Sequence, residues 1–214
     1  MKFRDYIASK SILICMLGIA GLFFVLISYL CSIPVPLMLQ NSKLRRELRR
    51  ADNLTETILT YAKLRTVEKD MQISITNLRS ICNQAIREEM ELLIAANISI
   101  SVEGEATVYT DAKMMVFMLK QLLINCSKYC PDCQITITVA GNSLTFADNG
   151  PGIPTHELHR VTQRGFTGAA WRKSARSTGM GLFIVSEICK QMNISLEIDS
   201  REHEYTRFVF CFLH

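Results

Sequence analysis

The chain has 214 residues, with 24 Lys and Arg against 20 Asp and Glu, a formal charge of +4 and 49% hydrophobic residues. That length suits one globular domain with an appendage, and the apolar content excludes an intrinsically disordered chain. The charge is small and no basic stripe alternates with aromatic residues, so we expect no nucleic-acid partner. The mean hydropathy of +0.17 is high for a soluble protein and points to one very apolar segment.

A long uncharged apolar run occupies residues 11–31, after an N-terminal tail of residues 1–10. As a helix with a rise of 1.5 Å per residue, the run would span about 30 Å, the thickness of a bilayer core. A secretory signal peptide is the alternative. However, the run exceeds the roughly 7–15 residues of a signal-peptide core, and no small-x-small cleavage site follows it. We therefore expect one transmembrane helix.

Basic residues flank the apolar run on both sides, and more of them follow it than precede it. They are Lys43, Arg45, Arg46, Arg49 and Arg50 after the run, and Lys2, Arg4 and Lys10 before it. Basic residues beside a span favour the cytoplasmic side. We therefore expect a single-pass protein of the cell membrane whose C-terminal domain is cytoplasmic.

Residues 40–70 contain neither Gly nor Pro, and their apolar residues recur at steps of three and four. These residues are Leu44, Leu48, Ala51, Leu54, Ile58, Tyr61 and Leu64. The spacing predicts a long amphipathic helix with a single apolar stripe. A second helix or a partner chain usually covers such a stripe, which suggests dimerisation through residues 40–70. The alternative is a helix that lies on its own domain.

Residues 71–214 alternate between helical and strand patterns. Helices are predicted for 77–97, 111–129 and 181–192, and strands for 98–102, 107–110, 134–140, 143–147, 194–198 and 206–212. Asp111 suits the N-cap of the second helix, and Gly141-Asn142 suits a hairpin turn. Helices mixed with hairpins indicate an α+β fold, a two-layer sandwich of a mixed sheet with helices on one face.

Two glycine motifs suggest a nucleotide site. The first, Asp148-Asn-Gly-Pro-Gly-Ile, follows a predicted strand. Its Gly150 and Gly152 permit close approach of a ligand, and Asp148 supplies a carboxylate. The second, Ser177-Thr-Gly-Met-Gly-Leu, opens a helix whose N-terminal amide groups can meet a phosphate.

Polar side chains near the end of the predicted 111–129 helix could complete this site. The amide oxygen of Asn125 can ligate Mg²⁺, and the ammonium group of Lys128 can attend phosphates. Each segment alone is weak evidence, because a Gly-x-Gly pair is more often a turn than a nucleotide site. The order of all three, with a long loop between the glycine motifs, is much more specific.

With these motifs, the chain from about residue 70 resembles the ATP-binding catalytic domain of sensor histidine kinases, in the superfamily shared with gyrase, Hsp90 and MutL. Residues 121–129 look like the N box, 148–153 and 177–182 like the two glycine boxes, and Arg164-Gly-Phe-Thr like the phenylalanine-containing box. Residues 53–70 look like the second dimerisation helix, most similar to short-sensor kinases that detect peptide antibiotics. The resemblance implies a two-layer ATP-binding sandwich, a kinase of a two-component system that uses ATP and Mg²⁺, and a response regulator as partner.

Carried over by position, the resemblance gives roles to individual residues. Asp148 becomes the partner of the adenine amino group, Asn125 the Mg²⁺ ligand, and Lys128 a phosphate contact. The other expected ATP-binding residues are Tyr129, Gly150, Gly152, Phe166, Thr178, Gly179, Gly181 and Leu182. Gly179 and Gly181 would hold the phosphates under a lid of roughly residues 154–178.

The phosphoacceptor of such a kinase is a histidine on the first dimerisation helix, and no histidine precedes the ATP-binding region here. The four histidines are His156, His159, His203 and His214, and we expect the first two to be exposed in the lid. We interpret the sequence as a kinase without its phosphoacceptor helix. Two functions stay open: phosphorylation of a partner's histidine in trans, and a non-catalytic ATP-binding module.

ATP hydrolysis of the gyrase or MutL type is a third function to consider. Those enzymes carry a general-base Glu four residues before the Asn, and Gln121 stands at that position here. An amide cannot accept the proton of water, so the sequence disfavours a hydrolase.

Three cysteines, Cys126, Cys130 and Cys133, lie close together in sequence. Cys130-Pro-Asp-Cys133 resembles half of a metal knuckle, but no second Cys-x-x-Cys or His-x3-His recurs. A cytoplasmic domain also keeps its thiols reduced. Packing as small hydrophobic residues is therefore favoured over metal or redox use.

Overall fold

The computed structural model describes residues 42–66, 71–168 and 178–213, so the predicted transmembrane segment lies outside the described residues. No helix within those three ranges is long and apolar enough to cross a bilayer. The elements in chain order are α1 (Ser42–Thr66), β1 (Ile73–Asn77), α2 (Leu78–Ala95), β2 (Ser99–Gly104), β3 (Thr107–Asp111), α3 (Ala112–Tyr129), β4 (Gln134–Ala140), β5 (Ser143–Asp148), α4 (Thr155–Leu158), α5 (Gly181–Gln191), β6 (Ile194–Arg201) and β7 (Tyr205–Phe212). The chain divides into two compact units, Met1–Leu54 and Thr55–His214, and everything from β1 onwards belongs to the second.

A five-stranded mixed sheet in the order β2-β4-β5-β7-β6 forms the scaffold of the second unit. β2 runs parallel to β4, and the other neighbours in the sheet are antiparallel. Burial alternates along β4, β5 and β7, which means that one face of the sheet is covered. The covered face carries fully buried side chains, among them Ile135, Ile137, Leu144, Phe146 and Phe210.

Helices α2, α3 and α5 supply the other half of the core. Leu119 and Leu123 of α3 and Ile184 and Ile188 of α5 are fully buried, and they share one hydrophobic cluster with the covered side chains of the sheet. The predicted two-layer α+β sandwich, a mixed sheet with helices on one face, is confirmed.

Local capping explains where the helices start. Asp111 caps α3, because its Oδ1 accepts hydrogen bonds from the backbone N–H groups of Lys113 and Met114 at 2.9 and 3.1 Å. The side chain of Asn77 caps α2 in the same way, accepting from Ser80 N at 2.9 Å. The predicted N-cap at Asp111 is thus confirmed, and the predicted 77–97 helix is observed as Leu78–Ala95.

Two elements were not predicted from the sequence. Strand β1 pairs antiparallel with β3 in a separate two-stranded sheet, with Ile75 opposite Tyr109. Its Ile73-Ser-Ile-Thr alternation is a short strand pattern that the prediction did not use, and its partner residues lie 30 to 38 positions away, so the pairing itself cannot be read from local sequence. The short helix α4 interrupts the stretch between the glycine motifs that was predicted as a loop.

The part of α1 that belongs to the second unit packs on the sandwich. The ring of Tyr61 lies 5.7 Å from that of Phe183, and the Arg164 guanidinium carbon lies 5.4 Å above the Tyr61 ring. Lys120 Nζ on α3 forms an ion pair with Glu56 at 3.1 Å. Other apolar side chains of the predicted stripe are exposed, namely Leu44, Leu48, Leu54 and Ile58. Glu56 and Tyr61 of α1 therefore contact their own domain, while the four apolar residues named above are exposed.

Candidate nucleotide-binding site

Asp148 ends β5 as a buried carboxylate with three hydrogen-bond donors around it. Its side chain is 7% exposed. Oδ1 accepts from the backbone N–H of Gly150 at 3.0 Å and from Cys130 Sγ at 3.6 Å, and Oδ2 accepts from Cys126 Sγ at 3.8 Å. Burial raises the pKa of this carboxyl group, while the Gly150 amide and the two thiols act in the opposite direction.

The first glycine motif is fixed by close contacts that leave no room for a side chain. A Cβ on Gly152, whose φ is +65°, would lie 2.1 Å from the carbonyl oxygen of Arg201. A Cβ on Gly150 would lie 2.2 Å from Cys130 Sγ. The loop is also hydrogen-bonded to the end of β6, through Ile153 N and Ser200 Oγ at 2.8 Å. These glycines allow the loop to pack closely against Arg201 and Cys130. This is a role in addition to the ligand approach that the sequence led us to expect.

The second glycine motif leads into α5. Gly179 has a φ of +64°, and its carbonyl oxygen accepts a hydrogen bond from Gly165 N at 3.1 Å, which joins it to the phenylalanine-containing segment. Helix α5 begins at Gly181 after Met180, and no described side chain caps that end. The first amide groups of a helix have no intrahelical acceptor, so the start of α5 offers N–H donors of the kind that bind phosphate.

Helix α3 contacts both glycine motifs. A Cβ on Gly181 would lie 2.9 Å from Gln121 Oε1, and Cys126 reaches Asp148 five residues further along the same helix. A helix rises about 7.5 Å over five residues, so the two contacts on α3 are separated by about that length along the helix. Asn125 is half-buried one turn after Gln121, and residues four apart lie on the same side of a helix. Asn125 therefore lies on the side of α3 that faces the start of α5.

The remaining predicted site residues surround these contacts. Lys128 is exposed and Tyr129 is half-buried in the last turn of α3. Phe166 is half-buried, and the guanidinium carbon of Arg160 lies 4.8 Å above its ring. Thr178 is exposed, and its hydroxyl oxygen accepts from Met180 N at 3.4 Å. Leu182, in the first turn of α5, packs against the core cluster. Of the predicted lid, roughly residues 154–178, the stretch 169–177 lies outside the described residues.

Comparison with known proteins identifies this arrangement. A family model described as histidine kinase-, DNA gyrase B-, and HSP90-like ATPase matches residues 110–214. The sensor protein BceS of Halalkalibacterium halodurans is 31% identical over 175 residues, which are 79% of this chain and 52% of BceS. The sensor histidine kinase GraS of Staphylococcus epidermidis is 30% identical over 172 residues, 78% of this chain and 50% of GraS. The chain carries an ATPase domain of the histidine kinase-, DNA gyrase B- and HSP90-like family, and these relatives are histidine kinase sensors. It spans about half the length of the curated relatives that it matches.

Solved structures share the fold of this histidine kinase ATPase domain. The histidine kinase AdeS of Acinetobacter baumannii superposes with a TM-score of 0.62 at 16% identity, over 92% of this chain and 95% of that one. Full-length ShkA in complex with AMPPNP superposes with a TM-score of 0.64 at 16% identity, over 79% of this chain and 37% of ShkA.

The described histidines of the kinase domain are exposed. His156 lies in the four-residue helix α4, His159 follows it, and His203 lies in the turn between β6 and β7. The expected exposure of His156 and His159 is confirmed, while His214 lies outside the described residues.

Two features of the site could not be derived from the sequence. The thiols of Cys126 and Cys130 contact the Asp148 carboxylate, and Gln121 packs against Gly181. The sequence offered one indication that Cys126 lies near the site, namely that it directly follows Asn125 in the N box. Within the residues that the structure describes, no group of three or more His, Cys, Asp or Glu side chains could hold a metal ion.

Proposed function

We propose that this chain is the ATP-binding part of a membrane-bound two-component sensor kinase, which binds Mg-ATP and transfers the γ-phosphoryl group to a histidine in trans. The observation that carries the proposal is the buried Asp148 carboxylate at the end of β5, held against the same helix that contacts the start of α5. The AMPPNP complex of ShkA, which has the same fold, supports a nucleotide as the ligand.

The adenine end of the nucleotide belongs at Asp148. A carboxylate is an acceptor, and a largely buried one discriminates strongly for a ligand that presents an N–H group. The exocyclic amino group of adenine is such a donor. Tyr129, half-buried in the last turn of α3, and the glycine loop through Gly150 and Gly152 would border the base.

The phosphate end belongs at the start of α5. Gly179 and Gly181 allow a phosphate to approach the backbone amides there, with Thr178 and Leu182 beside them, and the helix dipole favours negative charge at that end. Lys128 supplies an exposed ammonium group. Phe166 follows Gly165, which is hydrogen-bonded to Gly179, and would help to cover the nucleotide.

Asn125 would hold Mg²⁺ through its side-chain oxygen, a hard ligand of the kind that this cation prefers. Its half-buried place on α3, on the side facing the start of α5, fits a cation bound to the phosphates. When bound, Mg²⁺ would neutralise charge that develops on the transferred phosphoryl group. The chain's own groups bind and orient the nucleotide, so that an incoming histidine can attack the γ-phosphorus in line.

The positions of the histidines support the proposal of transfer in trans. No histidine precedes His156 in this sequence, and the described histidines are exposed and none of them lies on a long helix. The exposed apolar residues of α1, including Leu44 and Leu48, suit a partner that carries the acceptor histidine or a second copy of the chain. A response regulator would receive the phosphoryl group, as the resemblance to two-component sensor kinases implies.

Attachment to the cell membrane by residues 11–31, with the ATPase domain in the cytoplasm, completes the proposal. It rests on the uncharged run and the basic residues that follow it. Protease treatment of intact cells tests this topology, because digestion of the C-terminal domain from outside would contradict it.

Nucleotide binding is tested with Asp148→Asn in the full chain, purified in detergent, by calorimetric titration with Mg-ATP. The variant should lose measurable binding, because the amide offers one acceptor oxygen in place of two and adds donors that repel the adenine amino group. Asp132→Asn is the matched control, since Asp132 is an exposed turn residue that bonds Asn97. If Asp148→Asn bound ATP as tightly as the parent chain, the assignment of the adenine site would be wrong.

Phosphoryl transfer is tested by incubation with γ-labelled ATP and Mg²⁺, with and without a histidine kinase fragment that carries an intact first dimerisation helix. The chain alone should form no acid-labile phosphohistidine, because a bound nucleotide without an aligned acceptor reacts slowly. Label on the added fragment supports transfer in trans. Label on neither favours a non-catalytic ATP-binding module, an alternative raised by the absence of a histidine before His156.

A further inference from the structure

Two thiols, from Cys126 and Cys130, contact the carboxylate that the proposed function assigns to adenine. Both cysteines are buried, at 6% and 4% exposure. Each sulfur approaches a different oxygen of Asp148, Cys130 at 3.6 Å from Oδ1 and Cys126 at 3.8 Å from Oδ2. These are hydrogen-bonding distances for sulfur donors, and the two contacts come from one turn of α3 and the residue that caps it.

The Gly150 amide and the two thiols occupy most of the acceptor positions of the Asp148 carboxylate. A carboxylate has about four lone-pair positions, two on each oxygen. The Gly150 amide and the Cys130 thiol occupy both positions of Oδ1, whereas the Cys126 thiol occupies one of Oδ2. One acceptor position therefore remains, on Oδ2, for a donor from the ligand.

The thiols are the donors in both contacts. A carboxylate has no hydrogen to donate, so Cys126 and Cys130 donate their S–H groups to the Asp148 oxygens that they approach.

We propose that the thiols of Cys126 and Cys130 are positioning groups for nucleotide recognition: they orient Asp148 so that Oδ2 accepts the adenine amino group. This inference rests on the proposed nucleotide site and adds the two residues that hold its acceptor in place. The two thiols pin both oxygens of Asp148, and rotation of the carboxylate about its Cβ–Cγ bond would break both contacts.

The test measures ATP and GTP binding by the full chain in detergent, with alanine and serine at both positions. Each alanine variant should weaken ATP binding about threefold and the double variant about tenfold, as expected for loss of weak hydrogen bonds. The serine variants keep an O–H donor and should stay within about twofold of the parent chain. Discrimination against GTP should fall in the alanine variants, since a less fixed acceptor selects less strongly for an amino group.

The pH profile of ATP binding separates positioning from a loss of packing. The two thiols stabilise the charged form of Asp148, so their removal raises the pKa of that carboxyl group. As the pH is lowered, the alanine variants should therefore lose ATP binding at a higher pH than the parent chain does. Cys82→Ala is the matched control, because it removes a fully buried thiol from α2 without touching Asp148.

The outcomes separate the inference from the proposed function. An Asp148→Asn variant that binds ATP normally overturns the proposed nucleotide site. If Asp148→Asn abolishes binding while the double alanine variant matches Cys82→Ala in affinity, GTP discrimination and pH profile, the positioning role alone is overturned. Thermal unfolding identifies any variant that does not fold. If the double alanine variant does not fold, the single alanine variants are compared with Cys82→Ala instead.

Discussion

Replacing Gly150 by alanine probes the contact between the first glycine motif and the Asp148 carboxylate. The added Cβ would lie 2.2 Å from Cys130 Sγ and 2.8 Å from Asp148 Oδ1. Ordinary contacts between such atoms are about 3.5–4.0 Å, so the thiol must move by more than about 1 Å. The φ of Gly150 is not in the left-handed region, which means that alanine is penalised there only by this overlap.

The overlap should cost about 1–3 kcal/mol of unfolding free energy, as overpacking of a buried site does. For a chain of this size, about 2 kcal/mol corresponds to a fall in Tm of roughly 4–8 °C. Circular dichroism melts of the detergent-purified chain measure it. ATP affinity should fall as well, because Asp148 Oδ1 is the second atom in the way of the new methyl group.

Two further variants isolate the cause. Gly141→Ala has a positive φ of +54° and nothing within 4 Å of the new Cβ, so it should lower stability by about 1 kcal/mol and leave ATP affinity unchanged. In a Cys130→Ala background, Gly150→Ala loses its closest clash and should cost less stability than in the parent chain. A Gly150→Ala variant with the parent's Tm and ATP affinity, or one that Cys130→Ala does not rescue, would refute the steric reasoning.

Two other predictions concern the domain that carries the site. Phe146→Ala should lower the unfolding free energy by about 3–5 kcal/mol, because a fully buried ring is removed from the sheet. The exposed Tyr109→Ala should change it by well under 1 kcal/mol, and similar urea midpoints for the two variants would contradict the assigned core. Hydrogen bonds from Gln84 and Lys120 lower the pKa of Glu88, so its contribution to stability is present above its unfolded pKa and lost as the pH falls through the folded one. Glu88→Gln should therefore lose less stability on acidification than the parent chain, and parallel pH profiles of urea unfolding would exclude this contribution.

The sequence alone determined the parts of this domain that depend on local chemistry. Asp111 caps a helix through its own side chain, and Gly141-Asn142 closes a hairpin between neighbouring strands, so both could be read from residues a few positions apart. The two glycine motifs and Asp148 were likewise recognisable because their spacing is local. The family resemblance followed from these motifs together with residues 121–129, and the α+β sandwich followed from the mixture of helical and strand patterns.

The tertiary structure decided which distant residues meet. β1 exists because it pairs with β3, and the sequence around Ile75 carries no sign of that partner. The neighbours of Asp148 depend on how α3 packs beside β5, which brings Cys126 across 22 positions to the carboxylate. Gly152 is needed because the end of β6 passes within 2.1 Å of where its Cβ would be. Contacts of this kind arise from packing between elements far apart in the chain, and local periodicity holds no information about them.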